Sequence, residues 1–171
     1  MPAFAPCLPT YGFERVGTLW DLRPREVPNA SAIYALVAPF GIVTYDRWGI
    51  TTVDDEDTYT QQAPAPENQW IEPSEIFYVG SARNVRTRMS HYKSAARFGT
   101  VCMSEKSFNR ARAHYCTFLL RMARGQEQGV DVYVRQVPQE LSYIEGLPID
   151  LRRGWEIGLI RLLQPRGNRG W

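Results

Sequence analysis

The sequence predicts an α+β fold built on a small, mostly antiparallel three-stranded sheet flanked by helices, with an inserted hairpin or loop after the first strand. Short apolar runs bounded by turn residues predict strands at 33–38, 76–79 and 130–136. Helical apolar spacing and capping residues predict helices after the second and third of these strands. This order is typical of helices packed on one sheet. The 171 residues are enough for a single domain, 1–171, with its own core.

The first half of the chain contributes two strands and two irregular segments. Residues 1–30 contain scattered prolines without a sustained period, which predicts an N-terminal arm. Residues 33–38 predict a buried strand, and residues 41–45 predict its hairpin partner. Residues 46–74 are polar, acidic and rich in Pro and Gln, which predicts a long loop or insertion. The strand at 76–79 follows.

Two helices are predicted after that strand. Asn84 is a favourable N-cap for the first, which has an apolar stripe and ends near Arg97, before Gly99. Ser104 is the candidate cap of the second, which ends near residue 124, just before a glycine. The second helix carries a basic face opposite its apolar face, formed by Lys106, Arg110, His114, Arg121 and Arg124.

A last helix is predicted over residues 151–163, with Asp150 as its cap. Its predicted apolar stripe consists of Leu151, Trp155, Leu159, Leu162 and Leu163. Glu156 projects at the border of this stripe, and a carboxylate is rarely buried unless it is paired or bound to a metal. Two interpretations follow: an ion pair with Arg152 or Arg153 at the helix edge, or a metal ligand.

Charge is distributed unevenly along the chain, although the formal net charge is only +2. Residues 1–75 carry 4 basic and 11 acidic side chains, whereas residues 76–171 carry 16 basic and 7 acidic ones. Positive charge concentrated in this way attracts a polyanion such as nucleic acid. A solvated helix face would produce the same pattern, so charge alone does not decide between the two.

The composition favours a cytoplasmic protein without a membrane partner. The longest apolar-rich stretch, residues 32–43, is too short to span a bilayer and is broken by Pro39 and Gly41. The N-terminus lacks the basic and apolar segments of a signal peptide. The 3 cysteines include no C-x-x-C pair, which indicates reduced thiols.

Arg88 and Tyr92 lie one turn apart on one face of the first helix. An arginine in this position can bind a phosphate bidentately and offset the charge of its transition state. Tyr92 can contact the same phosphate, orient Arg88 or simply pack in the core. For Tyr34 and Tyr78, within strands, core packing is the simplest explanation. To act as general bases they would need metal-bound water or a nearby cation such as Arg83 to lower the phenol pKa from its usual value of about 10.

Three segments together resemble the GIY-YIG nuclease family. The first is Ala-Ile-Tyr at 32–34, the second begins with Tyr-Val-Gly at 78–80 and continues to Arg88 and Tyr92, and the third contains a Glu, a Pro and an Asn within 156–168. Alanine replaces the first glycine of the family's motif. The two motif tyrosines are farther apart than is usual in the family, so residues 46–74 count as an insertion.

The resemblance implies a small α/β sandwich that hydrolyses DNA phosphodiester bonds with one divalent ion, Mg²⁺ or Mn²⁺, per active site. It also implies two tyrosines near the attacking water, an arginine on the phosphate, a glutamate on the metal and an asparagine that supports the site. The implied catalytic residues are Tyr34, Tyr78, Arg88, Tyr92, Glu156 and Asn168, with Glu156 as the metal ligand. The expected DNA-binding residues are Arg83, Arg86, His91, Lys93, Lys106, Arg110, Arg121 and Arg124.

The leading interpretation is a stand-alone endonuclease of the type II restriction class, acting on double-stranded DNA as a homodimer or a higher homo-oligomer. A GIY-YIG nuclease of DNA repair or of a mobile element is an alternative within the same class. A nucleic-acid-binding module that has the fold but does not cleave is a third interpretation. Glu156 and Arg88 argue against it, because a binder has little use for a semi-buried carboxylate beside a phosphate-binding arginine.

Overall fold

A computed structural model of the chain describes residues 3–45, 49–52, 58–62, 68–98, 103–104, 129–137, 141–144 and 147–168. They form an α+β fold, as predicted. The strands are β1 (Glu14–Thr18), β2 (Ala32–Ala38), β3 (Ile42–Tyr45), β4 (Gly49–Thr52), β5 (Thr58–Gln62), β6 (Asn68–Ile71), β7 (Glu75–Ala82), β8 (Met103–Ser104), β9 (Asp131–Gln136), β10 (Leu141–Ile144) and β11 (Leu147–Asp150). The helices are α1 (Val85–Phe98) and α2 (Leu151–Leu163), with 3-10 turns at Ala5–Tyr11, Pro24–Glu26 and Arg166–Asn168.

The central sheet has four strands in the order β1-β9-β2-β7, and all neighbours are antiparallel. The prediction of three strands was therefore wrong, because β1 comes from the segment predicted as an arm. Nothing in its local pattern marks it as a strand: Gly17 has φ +140°, and the strand shows no buried alternation. It is fixed by long-range pairing with β9, including an ion pair of 2.8 Å between Arg15 and Asp131.

The segment after β2 leaves the central sheet and forms strands of its own. The prediction that residues 41–45 pair with β2 was wrong, because β7 and β9 already occupy both edges of β2. β3 pairs with β6 instead. β5 pairs with β4 on one side and with β8 on the other. The predicted insertion at 46–74 thus contains a hairpin, and Ser104 ends β8. The helix predicted after Ser104 falls in residues 105–128, outside the described part of the chain.

The two faces of the central sheet carry two halves of the core. On one face, Tyr34 and Leu36 pack against Val85, Met89 and Tyr92 of α1. This helix begins where expected, since the Asn84 side chain accepts a hydrogen bond of 3.1 Å from the Thr87 N–H. The opposite face carries the second cluster, which includes Leu8, Phe13, Ile33, Ala35, Val37, Ile76, Val79, Leu159 and Leu163.

The last helix has the predicted bounds but a different buried face. Asp150 caps it, with the carboxylate accepting a 3.3 Å hydrogen bond from the Arg153 N–H. Glu156 is buried with Leu159 and Leu163, whereas Trp155 is 45% exposed. The predicted stripe was therefore wrong at Leu151, Trp155 and Leu162, because the helix turns the face containing Glu156 towards the sheet. Among the described helices, none is long and apolar enough to cross a membrane.

Candidate functional site

Three tyrosines from three elements meet on the α1 side of the sheet. Tyr34 of β2 is 1% exposed, and its hydroxyl lies 2.5 Å from the hydroxyl of Tyr92, which is fully buried. The rings of Tyr34 and Tyr92 meet edge to face, with centroids 5.8 Å apart. Tyr78 of β7 stacks on Tyr34 with a centroid distance of 6.2 Å and is only half-buried. Tyr78 is thus the member of the cluster with the most access to solvent.

Gly80 makes this arrangement possible, because it lies directly opposite Tyr34 in the β2–β7 ladder. A Cβ atom at this position would lie 2.5 Å from the Tyr34 hydroxyl oxygen and 2.8 Å from Cε1 of Tyr78. Such distances are well inside van der Waals contact. The glycine of the Tyr-Val-Gly tripeptide therefore provides the space in which the Tyr34 ring crosses β7.

Arg88 places a charge beside these phenols. It is half-buried on α1, one turn before Tyr92, and it shares a hydrogen bond with the Tyr92 hydroxyl. Burial lowers the pKa of the Arg88 guanidinium, but electrostatic interactions with Tyr34, Tyr92 and Tyr78 and the hydrogen bond to Tyr92 outweigh that effect and raise the pKa above its usual value. Arg88 is therefore a permanent cation held by the tyrosine cluster.

Glu156 approaches the same strand from the opposite face. It is 6% exposed, and its Oε2 accepts hydrogen bonds of 2.7 Å from the Ser81 hydroxyl and 3.1 Å from Nη1 of Arg153. Both described donors use Oε2, and neither uses Oε1. The ion-pair interpretation of Glu156 is thus realised in part, with Arg153 as the partner rather than Arg152.

The tyrosine cluster and Glu156 are related through two consecutive residues of β7. Side chains alternate along a strand, so Gly80 faces Tyr34 while Ser81 faces Glu156. β7 is the edge strand of the central sheet, and the two groups lie on opposite faces of it. Within the described residues, Glu156 forms no hydrogen bond or ion pair with a tyrosine of the cluster or with Arg88.

Asn168 holds the middle of the Tyr-Val-Gly tripeptide in place. Its side-chain oxygen accepts a 2.8 Å hydrogen bond from the Val79 N–H, and its amide nitrogen donates one of 2.7 Å to the Val79 carbonyl. These two bonds replace the neighbouring strand that β7 lacks on its outer side. Asn168 therefore fixes the backbone of β7 at Val79. Its role in catalysis stays a prediction.

A pocket of about 420 Å³ opens between α1 and the start of α2. Basic side chains dominate its wall, with Arg83, Arg88 and His91 on one side and Arg152 on the other. Arg83 and His91 are exposed. A concave surface with this charge is suited to an anionic ligand.

The remaining predicted DNA-binding residues fall into two groups. Arg86 and Lys93 donate hydrogen bonds of 2.9 Å to the carbonyl oxygens of Val27 and Leu22, so they attach the segment after β1 to α1. Their role in DNA binding stays a prediction. The other four lie outside the described residues, and they are Lys106, Arg110, Arg121 and Arg124.

Two residues of the site were not predicted from the sequence. Ser81 directly follows the Tyr-Val-Gly tripeptide, and strand alternation alone could have placed its hydroxyl on the face opposite Tyr78. Arg152 was considered only as a partner of Glu156, but it pairs with Asp150 at 2.8 Å and lines the pocket. The Asp150–Arg152 pair follows from the cap geometry at the start of α2, which helical-wheel reasoning does not include.

The described part of the chain contains no group of three or more His, Cys, Asp or Glu residues that could hold a metal ion. The residues present do fit a magnesium-like ion, which prefers oxygen ligands and often takes one or two carboxylates while water and substrate phosphate complete its shell. Glu156 is the residue that would hold such an ion, through the oxygen that accepts no hydrogen bond from Ser81 or Arg153.

Comparison with protein-family models, with curated proteins and with solved structures finds no match to this chain. The resemblance to GIY-YIG nucleases therefore rests on the motif residues of the sequence alone.

Proposed function

We propose that this protein is a divalent-metal-dependent DNA endonuclease of the GIY-YIG class. The observation that carries the proposal is the placement of Arg88 among Tyr34, Tyr78 and Tyr92, at the wall of a basic pocket. A guanidinium that is held in place by phenols and lines a pocket is suited to bind the phosphate of a phosphodiester. Core packing alone does not require a charged group in such a cluster.

Arg88 binds the scissile phosphate in this proposal. Its guanidinium can donate two parallel hydrogen bonds to phosphate oxygens, and its fixed charge offsets the negative charge that builds up in the transition state. The hydrogen bond that the Arg88 guanidinium donates to the Tyr92 hydroxyl fixes the orientation of the guanidinium before the substrate arrives. This preorganisation is the main source of its catalytic effect.

Tyr78 is the better candidate for the proton acceptor at the attacking water. It is half-buried and borders the exposed end of the cluster, whereas Tyr34 is 1% exposed and engaged with Tyr92. Arg88 interacts electrostatically with Tyr78, so its positive charge lies beside the phenol that would accept the proton. Tyr34 positions the ring of Tyr78 by stacking and connects it to Tyr92.

Glu156 would hold one Mg²⁺ or Mn²⁺ ion, and Ser81 and Arg153 fix the orientation of its carboxylate. A divalent ion bound there supplies Lewis-acid stabilisation of the charge on the phosphate oxygens and the leaving group. Ser81 leaves one carboxylate oxygen of Glu156 for this purpose.

We take double-stranded DNA as the substrate and a restriction-type role as the leading one. We take a homodimer or a higher homo-oligomer as the assembly. The free thiol of Cys7 is in keeping with a cytoplasmic location.

A non-cleaving nucleic-acid-binding module is the second candidate, and one observation favours it. The carboxylate of Glu156 is already neutralised by Arg153 and hydrogen-bonded by Ser81, so its burial does not require a metal. In this case the basic pocket would still bind the DNA backbone, but no hydrolysis would occur.

The two candidates are separated by incubating the purified protein with supercoiled plasmid in Mg²⁺, with and without EDTA. We expect the wild type to cut in Mg²⁺ only, and we expect Glu156→Gln and Arg88→Lys to lose 10²-fold or more of the rate, on the order expected for one electrostatic group. Arg161→Ala, an exposed change on α2, is the matched control and should cut normally. Discrete fragments of the plasmid indicate a restriction enzyme. Faster cleavage of a branched DNA substrate than of the plasmid indicates a repair enzyme. Intact plasmid that is retarded on a gel by wild type and variants alike supports the binding module.

A further inference from the structure

A second arginine lines the pocket and has no role in the proposed chemistry. Arg152 lies in the first turn of α2, and its side chain is only 14% exposed. It faces the same space as Arg88, although the two residues come from different helices. We infer that Arg152 binds a second phosphate on the DNA strand, next to the phosphate at Arg88, and that Asp150 positions it. The inference rests on the proposed function, because it takes DNA as the ligand of the pocket.

Asp150 holds the guanidinium of Arg152 at the pocket wall. One carboxylate oxygen of Asp150 caps α2 through the Arg153 N–H, and the other accepts a 2.8 Å hydrogen bond from Nη2 of Arg152. This hydrogen bond uses one of the five N–H donors of the guanidinium, so the others remain for an anion. The hydrogen bond from Arg152 also lowers the pKa of Asp150, which keeps the carboxylate ionised and the pair intact at neutral pH.

The electrostatics of α2 indicate that an anion belongs in front of it. Its first turn contains Arg152 and Arg153 and no acidic residue. Cations in this position are repelled by the partial positive charge of the helix N-terminus. The Asp150 carboxylate offsets part of this repulsion, and a phosphate at Arg152 would offset more of it. The exposed Arg83 adds to the positive potential of the pocket.

The size of the pocket favours two phosphates over one. A volume of about 420 Å³ lies in the range of about 300–1,000 Å³ that is typical of sites for small organic ligands. It is more than a single phosphate needs, and a DNA strand presents phosphates in regular succession. Arg88 and Arg152 on the walls of one pocket therefore match two phosphates of one strand. Contacts of this kind position the strand but read no sequence.

The test measures binding of the full-length protein to two short duplexes of unrelated sequence, in EDTA, over a range of salt concentrations. Arg152→Ala is expected to weaken both complexes to the same extent and to reduce the salt slope of log K by about 1. Arg152→Lys keeps the charge and should keep the slope. Asp150→Asn keeps a capping residue but removes the charged partner, so it should weaken binding less than Arg152→Ala. Arg161→Ala, an exposed change on the same helix, is the control and should bind as the wild type does.

Cleavage in Mg²⁺ supplies an independent measurement. Arg152→Ala should raise KM about 10-fold or more, as expected for loss of one phosphate contact, and change kcat little, whereas Arg88→Ala should lower kcat. If Arg152→Ala does not fold, Arg152→Gln removes the charge but keeps a long polar side chain, and it should show the same reduced slope and raised KM. A wild-type salt slope and KM in Arg152→Ala would overturn the inference even if the protein cuts DNA. If Arg152→Ala has a reduced salt slope but the wild-type protein never cuts DNA, the phosphate site is supported and the nuclease proposal is contradicted.

Discussion

Gly80 is the residue on which the tyrosine cluster depends most directly. The space above its Cα is filled by the Tyr34 ring, so even a methyl group would have to displace the phenol or the strand. We expect Gly80→Ala to destabilise the fold by about 1–3 kcal/mol, which is typical of overpacking. Cleavage should fall much more, because Tyr34, Tyr78 and Arg88 would lose their relative positions. Thermal unfolding and plasmid cleavage measure the two effects.

The matched control for this substitution is Gly154→Ala on α2, where a Cβ would meet nothing within 4 Å. An alanine in a helix is favoured over glycine by about 0.5–1 kcal/mol, so this variant should be slightly more stable and fully active. If Gly80→Ala resembles Gly154→Ala in both measurements, the close approach of Tyr34 to β7 is not what organises the site.

At the scale of elements, β7 connects all parts of the site. Tyr78 and Gly80 face α1, Ser81 faces α2, and the backbone of Val79 is bound by Asn168. The tripeptide can be recognised in the sequence because its residues are contiguous. The contact with Asn168 spans 89 residues and could only be expected from the family resemblance.

Substitutions of Asn168 test whether the outer edge of β7 depends on the two hydrogen bonds of this side chain to Val79. Asn168→Ala leaves the buried N–H and carbonyl of Val79 without the partners that Asn168 supplies. We expect a loss of about 2–6 kcal/mol, since each of the two groups costs about 1–3 kcal/mol. Asn168→Asp can still accept from the N–H but cannot donate to the carbonyl when ionised. It should therefore be destabilised near neutral pH and recover partly as the carboxyl is protonated in acid. Chemical denaturation at two pH values measures this difference, and equal losses in both variants at both pH values would contradict it.

The two helices show what a helical pattern can and cannot predict. The caps at Asn84 and Asp150 are local hydrogen bonds, and both were predicted correctly. The buried face of α2 was predicted wrongly, because apolar residues surround much of this helix and periodicity does not reveal which of them the sheet covers. Trp155 lies outside the core, where the guanidinium of Arg135 packs on its ring at 4.3 Å.

At the scale of the whole molecule, the N-terminal segment is the largest departure from the sequence interpretation. It was predicted as an arm because proline-rich stretches without a period rarely form regular elements. In the structure it supplies β1, and residues 3–5 also pair with the outer side of β7 near Glu75. Leu8 and Phe13 are buried in the core beneath α2. Such long-range contacts leave no periodic signal in the sequence, so local patterns could not reveal them.

Removal of residues 1–12 distinguishes a core segment from an arm. The truncated chain loses Leu8, which is 0% exposed, and the backbone hydrogen bonds of 2.7 and 2.9 Å that join Ala5 and Ala3 to the start of β7. Loss of one such leucine costs about 2–5 kcal/mol, and most domains have only about 5–15 kcal/mol of stability. We therefore expect the truncated protein to lose cooperative thermal unfolding and DNA cleavage together, whereas Phe40→Ala, at a side chain that is 79% exposed, should change neither. A truncated chain that melts cooperatively at the wild-type temperature would mean that the segment is an arm after all and that β7 keeps its shape without it.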